Sequence, residues 1–310
     1  MVRLIAILIG FGFVLVAGIS FFTGLSAYLT TEHHESVEHQ FHEHPREHSF
    51  SFDTPVFGRF DNQQLQRGFR VYREVCAGCH GLNQVAFRNL AELGYSEAEV
   101  RKIASEVQVP DVNPQTGEPA TRPGLPADRF PSPYPNETAA RAANNNAVPP
   151  DLSLIAKSRH GGADYIASLL SGYRDPATYR NAEGRALPAA SRPGQRLHFN
   201  PYFPNLNLAM PPPLTANGQV QYADGTPATI DQMSQDVAAF LMWTAEPSLQ
   251  RRHRAGVAVV IFLIFASILA YFAYKNIWAS AKRKVRLTGP LDPANMARTE
   301  AAKRDAGIEG

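Results

Sequence analysis

The sequence predicts a mostly α-helical chain with long loops, held between an N-terminal apolar segment and a C-terminal transmembrane helix. Three observations predict this class. Two long runs carry no charged residue, Leu4 to Leu29 and Ala255 to Tyr274. Between them, apolar residues at helical spacing follow residues suited to cap helices. The remaining stretches are so rich in proline and glycine that they leave little room for β-strand.

The first run spans 26 residues, enough to cross a hydrocarbon core of roughly 30 Å as a helix. A buried helix of a soluble domain would be punctuated by polar residues at every turn. Only Arg3 precedes the run, as in a signal peptide, but its apolar length exceeds a usual signal core and no Ala-x-Ala site follows it. Residues 1–30 are therefore expected to form a retained membrane anchor, with a cleaved signal as the alternative. Residues 31–50 begin with TEHHESVEHQFHEHPREH, which holds six of the ten histidines. Interleaved glutamates and irregular spacing favour a solvated spacer over a metal-binding tract.

Residues 51–250 read as one domain on the outer face of the membrane. Asp61 can cap a helix whose Leu65, Phe69, Tyr72 and Val75 point inward. Ser96-Glu97-Ala98-Glu99 forms a capping box for a helix reaching about Val107. Ten prolines between Pro110 and Pro150 predict a mostly irregular stretch, and a loop of that length is normally functional or disordered. Tyr165 to Leu170 reads as a short helix closed by Gly172, and residues 173–228 as loop. Thr229-Ile230-Asp231-Gln232 is a second capping box, with Ile230, Met233, Val237, Phe240 and Leu241 at helical spacing up to Pro247.

Residues 251–279 form the firmer membrane span. Arg251, Arg252 and Arg254 precede its apolar run, and Lys275, Lys282, Arg283, Lys284 and Arg286 follow it. The excess of positive charge downstream puts residues 280–310 in the cytoplasm, with Tyr271, Tyr274 and Trp278 as the interfacial aromatic belt on that side. Both spans then agree on one topology: the N-terminus inside, residues 31 to about 253 outside, and the tail inside. The stretch from Thr31 to Leu249 holds 18 Lys and Arg against 24 Asp and Glu, a formal charge of −6. The basic pI of 8.5 therefore reflects the membrane ends. Nucleic acid is excluded as a partner of the outer domain, and a basic protein suits it.

The chemistry centres on Glu74-Val75-Cys76-Ala77-Gly78-Cys79-His80-Gly81, which contains both cysteines of the chain. A thioredoxin-type redox pair would follow a strand, and no strand pattern precedes Val75. A zinc ribbon would need a second Cys pair, which the chain lacks. Covalent haem attachment uses every residue of the motif: Cys76 and Cys79 as thioether points and His80 as an iron ligand. One covalently attached haem c is the cofactor expected. Met210 is the leading candidate for the second axial ligand, because Met210-Pro211-Pro212-Pro213 is a rigid loop that could aim a thioether at iron. His160 and His198 remain alternatives. Met233 and Met242 lie in an amphipathic helix, where packing is their expected role.

Five stretches closely resemble the cytochrome c1 family, the haem subunits of the cytochrome bc1 complex (ubiquinol–cytochrome c reductase). They are RGFRVYREVCAGCHGL, RAANNNAVPPDLSLIAKSRHGGADYIASLLSGY, HFNPYFPNLNLAMPPPL, DGTPAT and MSQDVAAFLMWTAEP. The resemblance covers about residues 50 to 280 and implies a cytochrome c-like haem domain. It puts the haem ligands on His80 and Met210, propionate contacts on Asn144, Arg159 and Tyr165, and Pro150 beside the haem near the ligand histidine. It further implies a one-electron relay that is not an enzyme on its own. Electrons would arrive from a Rieske iron–sulfur protein and leave to a cytochrome c, with quinol chemistry in a partner cytochrome b. The setting implied is the bacterial inner membrane, haem domain on the periplasmic side. Family members usually begin with a cleaved leader, which this start does not resemble, and the tail after Leu287 is longer than the family pattern. A free-standing membrane-anchored cytochrome shuttle and a His-rich periplasmic metal-binding protein are the competing functions.

Overall fold

A computed structural model describes residues 2–30, 36–54, 57–288 and 292–307. The outer domain is built on α3 (Asn62–Val71), which follows α1 (Val2–Thr30) and the short α2 (Val37–Phe41). The Asp61 carboxylate accepts the Gln63 N–H at 2.9 Å, and Leu65, Phe69 and Val71 are buried. Helix α4 (Glu97–Ser105) opens on a reciprocal box, with Ser96 Oγ accepting the Glu99 N–H and the Glu99 carboxylate accepting the Ser96 N–H. It stops two residues short of the expected Val107.

The proline-rich stretch expected to be irregular contains regular structure. Strands β1 (Gln108–Val112) and β2 (Pro119–Pro123) pair antiparallel, and α5 (Glu137–Ala143) follows. A two-stranded ribbon has only edge strands, so Pro110, Pro119 and Pro123 can face outward without breaking a ladder. Next come α6 (Ile155–Ser158) and α7 (Gly162–Ser171), then the very short pair β3 (His198–Phe199) and β4 (Asn207–Leu208). Helix α8 (Ile230–Ala245) is followed by α9 (Leu249–Thr288) and α10 (Pro293–Asp305).

Helix α8 is the axis of the core, with α3 on one side and α7 and α6 on others. Met233, Val237 and Phe240 have no exposed surface. The α3–α8 contact depends on Gly68, where an added Cβ would lie 2.0 Å from the Asp236 carbonyl oxygen. Beside it the Arg67 Nε reaches the buried Asp236 carboxylate at 3.0 Å, and its Nη1 reaches Asp224 at 2.7 Å. Asp236 also explains why the second capping box is only half formed. Thr229 Oγ accepts the Gln232 N–H, but the Gln232 amide turns to the Asp236 carboxylate at 2.9 Å instead of back to the cap. A buried carboxylate loses more without donors than a helix end does.

The described part of the expected solvated spacer lies against the domain, with most of its side chains exposed or half-buried. Residues 36–50 form a strap across the domain, anchored by Phe41 and Phe50, which are 3% and 5% exposed. Its backbone bonds run to Pro201, Ser168 and Asp164. Charge and histidine content hide two aromatic anchors that pay for ordering the segment. Residues 31–35 lie outside the described residues.

Helices α1 and α9 are long and apolar enough to cross a membrane, and neither buries its apolar window in protein. The foot of α9 is joined to the domain through Glu246, the C-cap of α8. Its carboxylate accepts from Lys157 Nζ of α6 at 2.9 Å and from Arg252 Nε of α9 at 2.6 Å. Burial pushes the Glu246 pKa up, but the two cations outweigh it and hold the group below the ordinary 4.5.

Two expectations follow from this packing. Gly68→Ala should lower stability by about 1–3 kcal/mol in denaturant titration, the usual cost of overpacking. Because the Glu246 pKa is depressed on folding, its contribution is present above about pH 4.5 and lost as pH falls through the folded value. The stability gap between wild type and Glu246→Gln should therefore be open at pH 7 and close as pH falls through the depressed folded value.

Candidate haem site

The Cys motif sits where a helix changes winding. Helix α3 runs into a π-helical turn over Tyr72–Cys76, in which the Ala77 N–H reaches the Tyr72 carbonyl at 2.8 Å. Such widened turns often occur at functional sites. After it the Cys79 and His80 N–H groups both donate to the Cys76 carbonyl, at 3.1 and 2.9 Å, curling the motif back on itself. Tyr72 is buried and its Oη donates to the His80 carbonyl at 3.0 Å. The same short loop therefore carries the half-buried Cys76, the exposed Cys79 and His80. Burial, with a smaller contribution from Cys79, pushes the Cys76 thiol up to about 12, so the unmodified side chain is a neutral thiol at pH 7.

A second segment clasps this loop. His80 Nδ1 lies 2.8 Å from the Pro150 carbonyl oxygen, which can only accept, so Nδ1 carries the proton. The Leu152 N–H donates to the Gly81 carbonyl, the Asn83 N–H to Asp151 Oδ2, and the Gln84 N–H to Ser153 Oγ. Asp151 Oδ1 also accepts the Ser153 N–H, which sets the turn. Burial lowers the His80 pKa against the opposing Pro150 bond and Asp151 charge. The imidazole is thus neutral, with its Nε2 lone pair available to a metal. This tautomer fits an axial haem ligand.

The other expected site residues lie on three separate elements. Asn144 caps the C-terminus of α5, with Nδ2 donating to the Ala140 carbonyl at 2.8 Å. Asn145 and Asn146 follow in left-handed conformation, at φ of 51° and 66°, and turn the chain towards Pro149 and Pro150. Arg159 ends α6 and is exposed, and its charge acts on the buried Tyr165 of α7. Met210 is half-buried two residues after β4, and its carbonyl accepts the Tyr173 hydroxyl at 3.0 Å. His160 is exposed between α6 and α7, and His198 is half-buried on β3. Met233 is fully buried in the core, as its packing role requires. The structure thus joins His80 to Pro150 directly, and brings Arg159 to Tyr165. It draws no direct bond between Met210 and either group.

Asp151, Ser153 and Tyr173 escaped sequence reasoning. An Asp-x-Ser turn after two prolines was a weak signal for the first two. Tyr173, one residue past the helix-closing Gly172, falls at the start of the stretch expected to be loop, where no local pattern marks it.

The Cytochrome C1 family model matches residues 50–281, and the chain belongs to that family. It is 45% identical over 267 residues to the mitochondrial cytochrome c1 haem protein of Saccharomyces cerevisiae, covering 86% of this chain and 81% of the yeast protein. It is 45% identical over 234 residues to cytochrome c1 of Rhodospirillum rubrum, covering 73% and 85%. It is 46% identical over 258 residues to the cytochrome b/c1 protein of Bradyrhizobium diazoefficiens, covering 76% of this chain but 36% of that longer protein. The family makes this chain a haem electron-transfer subunit.

If the clasp sets the His80 loop, Asp151→Ala should cost about 1–3 kcal/mol of stability, because two backbone donors lose their acceptor. Asn83→Ala, which leaves the Asn83 N–H in place, should cost well under half of that in the same denaturant titration.

Proposed function

We propose that this chain relays single electrons from a Rieske iron–sulfur protein to a cytochrome c within a bc1-type complex. Quinol oxidation belongs to a partner cytochrome b, and this chain is not an enzyme on its own. The carrying observation is the His80 Nδ1–Pro150 bond in the only Cys-x-x-Cys-His motif, which leaves a neutral Nε2 for iron. In this reading Cys76 and Cys79 hold one haem c by thioether bonds, and His80 and Met210 are its axial ligands. Pro150 orients His80, while Asn144, Arg159 and Tyr165 contact the propionates. Bound haem supplies a one-electron iron couple, which Met/His ligation raises in potential and closes to external ligands.

The printed name of the Bradyrhizobium relative joins cytochromes b and c1, which supports the cytochrome b partner. The acidic charge of residues 31–249 supports a basic electron acceptor. The flanking charges of α9 support a haem domain on the periplasmic side of a bacterial inner membrane, with the tail inside. Among the described residues no three His, Cys, Asp or Glu side chains gather as a metal site. A free-standing shuttle would keep the same haem but would not co-purify with a cytochrome b.

Three variants test the ligation. Cys76→Ala should weaken or abolish haem staining of the denatured protein on a gel. Met210→Leu should fold and keep its haem, but show a markedly lower potential and new carbon monoxide binding. Met233→Leu, a volume-conserving change in the core, should alter neither. A wild-type potential in Met210→Leu, with loss in His160 or His198 variants, would move the distal ligand to histidine.

A further inference from the structure

We propose that the strap of residues 36–50 positions the Met210 loop, with Phe41 as its key side chain. This rests on the reading of Met210 as distal ligand. The loop leaves β4, which pairs with β3 through only two residues on each strand. So short a pair cannot order itself, since even a full isolated hairpin is marginal in water. Phe199 of β3 and Leu206, the residue just before β4, are instead covered in a small apolar cluster completed by Leu187 and Phe41. Phe41 is the strap's buried contribution to that cluster. Leu206 also has a φ of 60°, a conformation that a leucine keeps only where its surroundings hold it. Met210 stands four residues further on.

The strap is tied at both ends of its path. The Glu43 N–H donates to the Pro201 carbonyl in the β3–β4 connection, and the Tyr179 hydroxyl donates to the Glu43 carboxylate. Then the Arg46 N–H meets Ser168 Oγ at 2.8 Å, and both the His48 N–H and Nδ1 meet Asp164 Oδ1 on α7. Pro45 packs so close to Gly161 that a Cβ there would meet it at 3.1 Å. The strap therefore staples the hairpin to α7, the helix that carries Tyr165 and leads into Tyr173. Tyr173 in turn holds the Met210 carbonyl. Two supports thus converge on the Met210 loop, and one of them lies outside the regions that carry haem-binding motifs.

The test uses the full-length chain in its membrane, reading reduction potential and carbon monoxide binding by the ferrous haem. Phe41→Ala should keep covalent haem, lower the potential towards that of Met210→Leu, and raise the carbon monoxide-binding fraction at least tenfold. Phe41→Leu should restore both readings. Val100→Ala, on the buried face of α4, should lower the melting temperature with neither effect. The proposal is overturned if Phe41→Ala only melts earlier, with potential and ligand binding as in wild type. Should Phe41→Ala not accumulate, Phe41→Val opens a smaller cavity, and wild-type readings there overturn the proposal equally. If Met210→Leu itself binds no carbon monoxide, the ligand assignment fails rather than the strap.

Discussion

The bond from His80 Nδ1 to the Pro150 carbonyl is the constraint on which the site depends. It joins two segments 70 residues apart and selects the imidazole tautomer in one step. Without an acceptor at Nδ1, a half-buried histidine could present either nitrogen, and its ring could rotate. Pro150 is suited to this because its φ is locked, which leaves one fewer backbone dihedral to fix in aiming its carbonyl. The neighbouring bonds through Gly81, Asn83 and Gln84 keep the two segments in register. Burial keeps the ring neutral, which a metal ligand requires.

The rest of the domain supports that clasp from two directions. Helix α3 approaches α8 at Gly68, closely enough to bury the start of the Cys loop against Phe240 and Phe130. The polar side of this contact is secured by Arg67 between Asp224 and Asp236. On the opposite side, α7 carries Tyr165 and is tied to the strap and to Asn200. Glu246 then connects this body to α9 through Lys157 and Arg252. A domain with so little sheet needs such polar fastenings, because its loops lack a ladder of their own.

Much of this was legible in the sequence, for local reasons. Asp61 and Ser96 start their helices as capping chemistry requires, and the spacing of Met233, Val237 and Phe240 marked the buried face of α8. The Cys-x-x-Cys-His loop was legible because its chemistry is contained within five residues. What stayed hidden was set by distant partners. Phe41 lies among glutamates and histidines, and only the cluster with Phe199 and Leu206 makes it an anchor. Prolines between 110 and 123 masked a hairpin that tolerates them at its edges. Gln232 abandoned its cap for Asp236, a residue whose burial no local pattern announces.

In the proposed ligation His80, through Nε2, and Met210, through sulfur, face the same iron. X-ray absorption at the iron edge of the oxidised, membrane-extracted protein tests it most directly. Ligation by both residues requires five nitrogen scatterers and one sulfur, with that sulfur lost in no variant except at Met210. Six nitrogen scatterers and no sulfur would contradict it.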